Sequence, residues 1–339
     1  MNTIILDEDI PISSFINKKN KKHLKGKICL GLCCINNGLR KFKDENGKKQ
    51  EIFCSRSTVR ANFSVEKVKN LAIQNIQDIS KLVDWNVKHG INHLRLSSDM
   101  FPHFTDRETT PYSLDFAIPY LEEAGEYCKK VGQRITTHPA QFNQIGALSE
   151  EVFESTIKDL KMHADMLDYM GVEEEGSMCI HMGGMYGNKD KTMRRWIDQF
   201  DDLPGNVKRR LGLEHDEKCY STRDCLVISE ALSIPVIHDT LHHRCYHDHY
   251  NSSDPEEEIE DLVREVVHTW KNNKPIFHLA EQDLNKKYVG AHSSMISKIP
   301  QYLIDLVEEY DDLTLSLEVE AKAKEAAILQ LMKTHKGLF

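Results

Sequence analysis

The sequence predicts an α/β fold of the (β/α)8 type, the TIM barrel. Eight short β-like runs alternate with amphipathic helical stretches over about 310 residues, a rhythm typical of that barrel. Glycines stand where helices should end, at Gly90, Gly132 and Gly171. A doubly wound open sheet is the competing fold, but it would more often carry a glycine fingerprint after its first strand. The sequence has none.

The predicted strands follow one another along the chain. They are Ile28–Cys33, His93–Ser97, Arg134–Thr137, Ser177–His181, Arg210–Glu214, Ile234–Asp239, Pro275–His278 and Leu313–Glu320. Apolar residues at helical spacing lie between them, for example in Val65–His89, Glu150–Met170 and Pro255–Lys271. We therefore expect one TIM-barrel domain over residues 26–339, preceded by a lysine-rich N-terminal extension over residues 1–25.

The composition indicates an ordinary soluble protein of a reducing compartment. Of the 339 residues, 40% are hydrophobic and 29% are charged. No apolar run approaches the ~20 residues of a membrane span, and the N-terminus lacks an apolar signal core. The nine cysteines are scattered and odd in number, without a paired C-x-x-C motif. We expect a cytoplasmic or nuclear protein with no signal peptide and no membrane contact.

The net charge of −9 is only a weak argument against a nucleic-acid partner. That sum counts metal-binding carboxylates as bare charges, and divalent ions would reverse the local field. Two segments are basic: Lys18–Lys27 has six lysines and no acid, and Arg40–Arg60 has seven basic residues against three acids. Each could be a solvated surface or a contact with a DNA backbone. Arg40–Arg60 follows the first strand, in the longest interval between strands.

Seven of the eight predicted strands end in a histidine or a carboxylate. The C-terminal ends of barrel strands meet on one face, where function collects. Such inward charges are intolerable in an apolar barrel mouth unless they are paired or bind metal. The residues at these ends are His138, His181, Glu214, Asp239, His242, His278, His292, Glu318 and Glu320, with His103 and Asp106 near the exit of the second strand.

This donor set predicts a cluster of divalent ions. No cysteine occupies these ends apart from Cys33 and Cys34 near the first strand, so the donors are imidazoles and carboxylates. They suit Zn²⁺ or Mn²⁺ and disfavour an iron–sulfur site. About nine donors exceed the needs of one ion, so we expect two or three ions that share bridging carboxylates. Clustered divalent ions favour hydrolytic phosphoryl transfer, because they activate a water and stabilise the phosphate.

Motifs along the chain resemble the UV damage endonuclease family, in the order in which the family has them. They are LGLCCIN at Leu30–Asn36, LRLSSDMFPHF at Leu94–Phe104, THPAQF at Thr137–Phe142, HMGGMYGNK at His181–Lys189, LEHDE at Leu213–Glu217, DTLHH at Asp239–His243, HLAEQD, GAH at Gly290–His292 and VEAKAKE at Val319–Glu325. The resemblance implies a barrel related to endonuclease IV, with three metal ions that are usually manganese. It also implies nicking of DNA on the 5′ side of cyclobutane dimers and 6-4 photoproducts.

The resemblance also implies roles for single residues. The metal ligands become His138, His181, Glu214, Asp239, His242, His278, His292 and Glu320, and the catalytic carboxylates are Glu214, Asp239 and Glu320. Two candidates remain open for the ligand of the second strand. Asp106 stands at the family's spacing, four residues after the proline, and His103 follows Pro102 directly. Glu318 is the alternative to Glu320, since strand periodicity points both the same way.

The DNA-binding residues are carried over in the same way. Gln141 and Phe142 match a Gln-Tyr pair that wedges into the duplex, and Asn36 matches an asparagine of the lesion pocket. The other expected DNA contacts are Tyr186, Lys189, Arg40 and Arg60. The chain departs from the family at four positions, with Asp106 for the usual histidine ligand of the second strand, Leu32 for a pocket tyrosine, Phe142 for the wedge tyrosine and Ile276 for a lysine of some members.

We therefore predict an ATP-independent endonuclease that acts as a monomer on UV-damaged double-stranded DNA and leaves a 3′-hydroxyl and a 5′-phosphate. Mn²⁺ is the expected metal, with Zn²⁺ and Mg²⁺ as alternatives. Three other functions remain open: an abasic-site endonuclease of the endonuclease IV type, a metal-dependent sugar isomerase on the same barrel, and a non-catalytic damage sensor. An isomerase would need neither a basic loop nor a Gln-aromatic wedge.

Overall fold

Eight parallel strands close into a barrel in the computed structural model, which describes residues 27–250 and 259–339. The ten strands of the described residues are β1 Lys27–Cys33, β2 Phe42–Lys43, β3 Lys49–Gln50, β4 His93–Leu96, β5 Arg134–Thr137, β6 Met178–His181, β7 Leu211–Glu214, β8 Val236–Asp239, β9 Ile276–Leu279 and β10 Thr314–Val319. Around the barrel the order is β1-β10-β9-β8-β7-β6-β5-β4. The predicted TIM barrel is confirmed, with β2 and β3 forming a separate hairpin.

Helices follow the barrel strands, as the periodicity predicts. In the described residues they are α1 Asn37–Arg40, α2 Val65–Lys88, α3 Ile118–Lys130, α4 Glu150–Tyr169, α5 Lys189–Phe200, α6 Gly205–Arg210, α7 Thr222–Leu232, α8 Thr240–Tyr250, α9 Ile259–His268, α10 Gln301–Glu309 and α11 Glu325–Thr334. The expected helix at 255–271 corresponds to α9 in its described part. The N-terminal extension over residues 1–25, and all of the first basic segment except Lys27, lie outside the described residues.

Local sequence signals explain where the long helices begin and end. Ser64 caps α2 by accepting a hydrogen bond from the backbone N–H of Lys67, and Ser149 caps α4 in the same way. The three glycines expected after helices adopt the left-handed conformation, with φ of 72° at Gly90 and Gly132 and 61° at Gly171. Within the described residues no helix is both long and apolar enough to cross a membrane.

Polar side chains fill part of the barrel interior, beside a small apolar cluster of Ile237, Trp270 and Ile276, whereas the main apolar core lies between the strands and the surrounding helices. His93 and Thr136 point inward, with His93 Nε2 2.9 Å from Thr136 Oγ1. Gly31 in β1 makes room for that imidazole, because a Cβ at this position would lie 3.2 Å from His93 Cγ. Polar side chains inside a barrel must be hydrogen-bonded or ion-paired, so the interior sets a charged floor beneath the strand ends.

Candidate metal centre and DNA-binding face

The carboxylate of Glu214 at the end of β7 is surrounded by four imidazoles from other elements. His138 Nε2 lies 2.9 Å from Glu214 Oε2, and His278 Nδ1 lies 2.9 Å from Oε1. His242 Nδ1 is 3.2 Å from Oε1, and His181 Nε2 is 3.4 Å from Oε2. Glu214 itself is only 1% exposed. A buried carboxylate shared by four imidazoles is the arrangement expected of a bridging metal ligand.

Asp239 and Glu320 extend this cluster toward the neighbouring strands. Asp239 Oδ1 accepts hydrogen bonds from the backbone N–H groups of Leu241 and His242, at 2.7 and 2.6 Å. Its other oxygen, Oδ2, is buried without a hydrogen-bond partner among the described residues and lies 4.0 Å from His278 Nδ1. Glu320 Oε1 is 3.6 Å from His278 Nδ1, and Oε2 is 3.5 Å from the ring of His292.

The protonation states of these groups are strongly shifted. Burial raises the pKa of Glu214, but the imidazoles packed around it outweigh burial and hold that pKa well below its usual value. Burial lowers the pKa of His181 to about 4, so this imidazole is neutral at physiological pH. Burial also raises the pKa of Asp239. Glu214 is thus ionised and His181 neutral, as metal binding requires, whereas a divalent ion would have to displace protons from the other imidazoles of the cluster.

Three groups of donor atoms could each hold an ion, and they share members. They are His138 with Cys179, Glu214 and His278; His181 with Glu214 and His242; and Asp239 with His278 and Glu320. The donor atoms of each group lie within 4.8 Å of one another. The unpartnered Asp239 Oδ2 and His181 Nδ1 are buried polar atoms that a metal ion or its water would satisfy, so the residues fit a metal centre. Seven of the eight ligands implied by the resemblance belong to these groups. The eighth, His292, lies beside Glu320, which is a member of the third group.

The two candidates for the ligand of the second strand, which is β4, lie outside all three groups. His103 has both ring nitrogens engaged, with Nδ1 2.9 Å from Asp106 Oδ2 and Nε2 2.7 Å from the carbonyl of Thr58. Both oxygens of Asp106 accept hydrogen bonds from Arg60, at 2.8 and 3.0 Å. In the structure Arg60, Asp106 and His103 therefore form a hydrogen-bonded network, and the choice between His103 and Asp106 as the ligand of the second strand stays open.

Two residues that the sequence reasoning missed belong to the cluster. Cys179 lies two residues before His181 on β6, so the strand period places both on one face. The Sγ–H of Cys179 donates to Glu214 Oε2 at 3.2 Å. The second residue is Arg95, a buried guanidinium whose Nη1 contacts both Glu318 and Glu320. Both residues lie two positions before the end of a predicted strand. The period of two along a strand would therefore have indicated both.

Glu318 is held by protein groups and lies outside the three donor groups. Its Oε1 accepts a 2.6 Å hydrogen bond from Thr136 and lies 3.1 Å from His93 Nε2. Its Oε2 is 3.0 Å from Arg95 Nη1 and 3.2 Å from His278 Nε2. Burial would raise the pKa of Glu318, but Arg95 and the two imidazoles outweigh it and keep that pKa well below its usual value. Glu318 therefore forms the ion-paired floor of the cluster.

A loop beside the cluster presents Gln141 and Phe142 to solvent. The Phe142 side chain is 54% exposed, so it is not part of the core. The loop is pinned by the neighbouring Asn143, whose Nδ2 donates to the carbonyl of Ala140 at 2.9 Å and to Asp159 Oδ2 at 2.7 Å. Phe142 lines a cleft of about 540 Å³ together with Arg60 and His103. An exposed aromatic on a fixed loop is available to a ligand.

The family of the chain follows from its sequence profile. The profile of UV-endonuclease UvdE matches residues 28–338. The chain belongs to the UvdE family. It is therefore an endonuclease, a hydrolase that cleaves DNA, as the sequence predicts.

Individual relatives agree with this assignment. A relative from Acanthamoeba polyphaga mimivirus is 32% identical over 313 residues, which cover 90% of each chain. The UV DNA damage endonuclease of Clostridium perfringens is 31% identical, with 84% of this chain and 68% of that protein covered. The UV-damage endonuclease of Schizosaccharomyces pombe is 32% identical, and 98% of this chain matches 55% of that longer protein.

Solved structures support the same family and fold. The crystal structure of SacUVDE superimposes with a TM-score of 0.77 at 30% identity, covering 92% of this chain and 99% of that one. Endonuclease IV from Thermus thermophilus shares the fold, with a TM-score of 0.51 at 15% identity over 76% of this chain and 93% of that one. The predicted family and its structural relation to endonuclease IV are confirmed.

The other UvdE motif residues are held by local contacts. Asn36 is buried and caps α1, accepting a 2.9 Å hydrogen bond from the backbone N–H of Leu39. Tyr186 is 40% exposed and donates from its hydroxyl to Gln144 Oε1. Lys189 Nζ donates to Asp224 at 2.8 Å and to the Tyr246 hydroxyl at 3.0 Å, so its charge is already paired. Leu32, in place of a tyrosine of some UvdE members, is buried in the core.

The segment Arg40–Arg60 divides into paired and unpaired cations. Arg56 is bound by Asp78 at 2.6 Å and Arg60 by Asp106 at 2.8 Å. Arg40 lies 5.5 Å from the centre of the Phe53 ring. Four further exposed cations, Lys41, Lys43, Lys48 and Lys49, lie in or directly beside the β2–β3 hairpin.

Proposed function

We propose that this chain nicks UV-damaged duplex DNA on the 5′ side of pyrimidine dimers and 6-4 photoproducts, by metal-dependent hydrolysis that needs no ATP. The products would be a 3′-hydroxyl and a 5′-phosphate. One observation carries the proposal: Glu214 lies buried within 3.4 Å of His138, His181, His242 and His278 at the mouth of the barrel. Membership of the UvdE family supplies the class of substrate.

We infer three divalent ions, with Mn²⁺ as the first choice and Zn²⁺ or Mg²⁺ as alternatives. Three donor groups of three or four residues support that number. Bound ions would supply a water of lowered pKa and would neutralise the charge of the scissile phosphate. The chain's own part is to fix the donors: Asp239 through the N-terminus of α8, and Glu320 through the guanidinium of Arg95.

The phosphate would approach from the side of His292. The side chain of His292 is 30% exposed, compared with 15% for His138, 12% for His181, 9% for His242 and none for His278. His292 and the oxygen of Glu320 that faces it therefore form the outermost part of the cluster. A DNA backbone laid across the barrel mouth meets these groups first.

Lesion recognition is assigned to Gln141 and Phe142. A photodimer stacks and pairs poorly, so extruding it from the helix costs less than extruding intact bases. Phe142 can stack in the vacated space, and Gln141 can hydrogen-bond the bases left opposite. The Asn143–Asp159 contact keeps the loop in place and so lowers the entropic cost of inserting it. The exposed lysines of the β2–β3 hairpin would bind phosphates beside the lesion.

One chain supplies every donor of the three groups, so we propose that it acts as a monomer. A duplex with one site-specific thymine dimer, incubated with the protein and Mn²⁺, tests the function directly. We expect a single nick immediately 5′ to the dimer when the products are mapped at nucleotide resolution. A cut elsewhere, or stronger cleavage of a matched abasic-site duplex, would instead indicate the endonuclease IV type of activity. Lesion binding without any nick would indicate a damage sensor.

A further inference from the structure

The sulfur of Cys179 faces the cluster from the wall of the barrel. Cys179 is 3% exposed, and its Sγ lies 3.2 Å from Glu214 Oε2. Its Sγ also lies within 4.8 Å of a ring nitrogen of His138 and of one of His278. Its apolar neighbours, Ile237, Trp270 and Ile276, close the other side. The polar surroundings of this thiol are therefore residues that the proposed function makes metal ligands.

The spacing of these four donors suits a single ion. Metal–donor distances of about 2.0–2.3 Å in a tetrahedral zinc site place neighbouring donors roughly 3.5 Å apart. Cys179 and His138 lie 3.2 and 2.9 Å from Glu214 Oε2, and His278 lies 2.9 Å from Oε1. One donor atom from each of the four residues lies within 4.8 Å of the other three, which is close enough to surround one ion after local adjustment. In the described residues, Cys179 is the one cysteine in a metal-competent group.

We infer that Cys179 binds one of the ions through its sulfur and completes a four-donor position with His138, Glu214 and His278. This inference rests on the metal centre of the proposed function. As the sulfur–metal bond forms, the S–H bond breaks and the proton leaves to solvent. A thiolate is a soft donor, so this position favours Zn²⁺ or Co²⁺. The other two groups hold only nitrogen and oxygen donors, which suit Mn²⁺. The centre would then bind two kinds of ion.

Cobalt absorption spectroscopy on the full chain tests this inference. A sulfur ligand gives Co²⁺ an intense charge-transfer band in the near ultraviolet, whereas nitrogen and oxygen donors give only weak visible bands. We expect the intense band in the wild type and its loss in Cys179→Ser and Cys179→Ala, with the weak bands retained. Cys128→Ala is the matched control, because Cys128 is a buried cysteine of α3 outside the three groups.

Competition between metals gives a second readout. Cys179→Ser should weaken binding of the tightest Zn²⁺ by roughly 10- to 100-fold or more, and Mn²⁺ binding by less. Survival of the intense band in Cys179→Ser, or Co²⁺ binding by the wild type without that band, would overturn the inference. The nicking assay with Mn²⁺ is separate. A wild type that nicks damaged DNA but lacks the band refutes only the sulfur ligand, whereas one that binds no metal and cuts nothing refutes the proposed centre.

Discussion

Replacing Glu214 with Gln removes the one carboxylate that all four central imidazoles contact. The amide keeps the volume of the side chain, so the change is almost purely one of charge. Glu214 is 1% exposed, and its contacts with the imidazoles are 2.9–3.4 Å, so solvent screens it little. The substitution should therefore reduce metal affinity and the rate of the hydrolytic step that bound ions would support.

The size of the effect follows from Coulomb's law. At about 3 Å and an effective dielectric constant of about 20, removing one unit charge costs about 5 kcal/mol for each unit of positive charge held there. That corresponds to roughly 10³- to 10⁴-fold in metal affinity or in kcat/KM. We expect Glu214→Gln to bind at least one ion fewer at micromolar Mn²⁺, and to nick a thymine-dimer duplex at least about 10³-fold more slowly.

The assay combines metal content, measured by mass spectrometry, with single-turnover nicking at saturating Mn²⁺. Glu217→Gln is the matched control, because it makes the same change three residues later, outside the three donor groups. Circular dichroism of both variants checks the fold. A Glu214→Gln protein with the wild-type metal content and a nicking rate near the wild-type value would refute the assignment of Glu214 as a bridging ligand.

Four further outcomes follow from the site. Phe142→Ala should weaken discrimination between damaged and intact duplex by ~5- to 150-fold in binding assays, and Phe142→Tyr should change it little. Replacing Lys41, Lys43, Lys48 and Lys49 with Gln should flatten the log–log salt dependence of DNA binding by ~3 units or more; an unchanged slope would make the hairpin a solvated surface. Mn²⁺ at 100 times its Kd should stabilise the fold by about 2.7 kcal/mol per independent ion, raising Tm in calorimetry. Without metal, stability should decline as pH rises above about 6.5, the ordinary histidine pKa, and added Mn²⁺ should abolish that decline.

The sign of the pH effect comes from three imidazoles. Burial would lower the pKa of His138, His242 and His278, but the neighbouring carboxylates, Glu214 in all three cases, outweigh it and hold all three well above the usual value. A raised histidine pKa contributes stability that is fully present below the unfolded-state pKa and is lost as pH rises through the folded-state value. Bound Mn²⁺ replaces those protons, which is why it should remove the dependence.

The barrel and most of the candidate site could be predicted from the sequence because both follow from periodicity. Strand ends of a parallel barrel share one face, so a histidine or carboxylate at each end predicts a cluster without knowledge of any distance. The arrangement of His138, His181, Glu214, Asp239 and His278 in the structure is of that kind. The alternation of strands and helices is equally local, and the positions of the helix caps follow from single residues.

The rest of the site depends on contacts between distant segments. Arg60 and Asp106 are 46 residues apart, and no local pattern indicates that they form an ion pair or that Asp106 also contacts His103. Counting the cations of Arg40–Arg60 also overstates the free charge, because Arg56 is paired with Asp78 from α2. Cys179 was missed for a different reason. The prediction considered only the last residue of each strand, and Cys179 lies two positions before the end of β6.

Glu318 and Glu320 show how contacts with neighbouring side chains determine which carboxylate is available to a metal ion. Glu318 lies in β10 and Glu320 directly follows that strand, so the period of two points both side chains the same way and the sequence leaves them equivalent as ligands. Both contact Arg95, but the structure separates them by their other partners: Glu318 also has Thr136 and His93 within 3.1 Å, whereas the imidazole contacts of Glu320 are 3.5 Å or longer. A carboxylate with both oxygens held by protein groups gains little from a metal ion, and one whose second oxygen has only distant partners gains more. Arg95 touches both, so it stabilises the floor and holds Glu320 in reach of His278 and His292. The ion pair of Arg95 and Glu318, below the candidate metal centre, thus helps to position Glu320, the carboxylate that would bind metal.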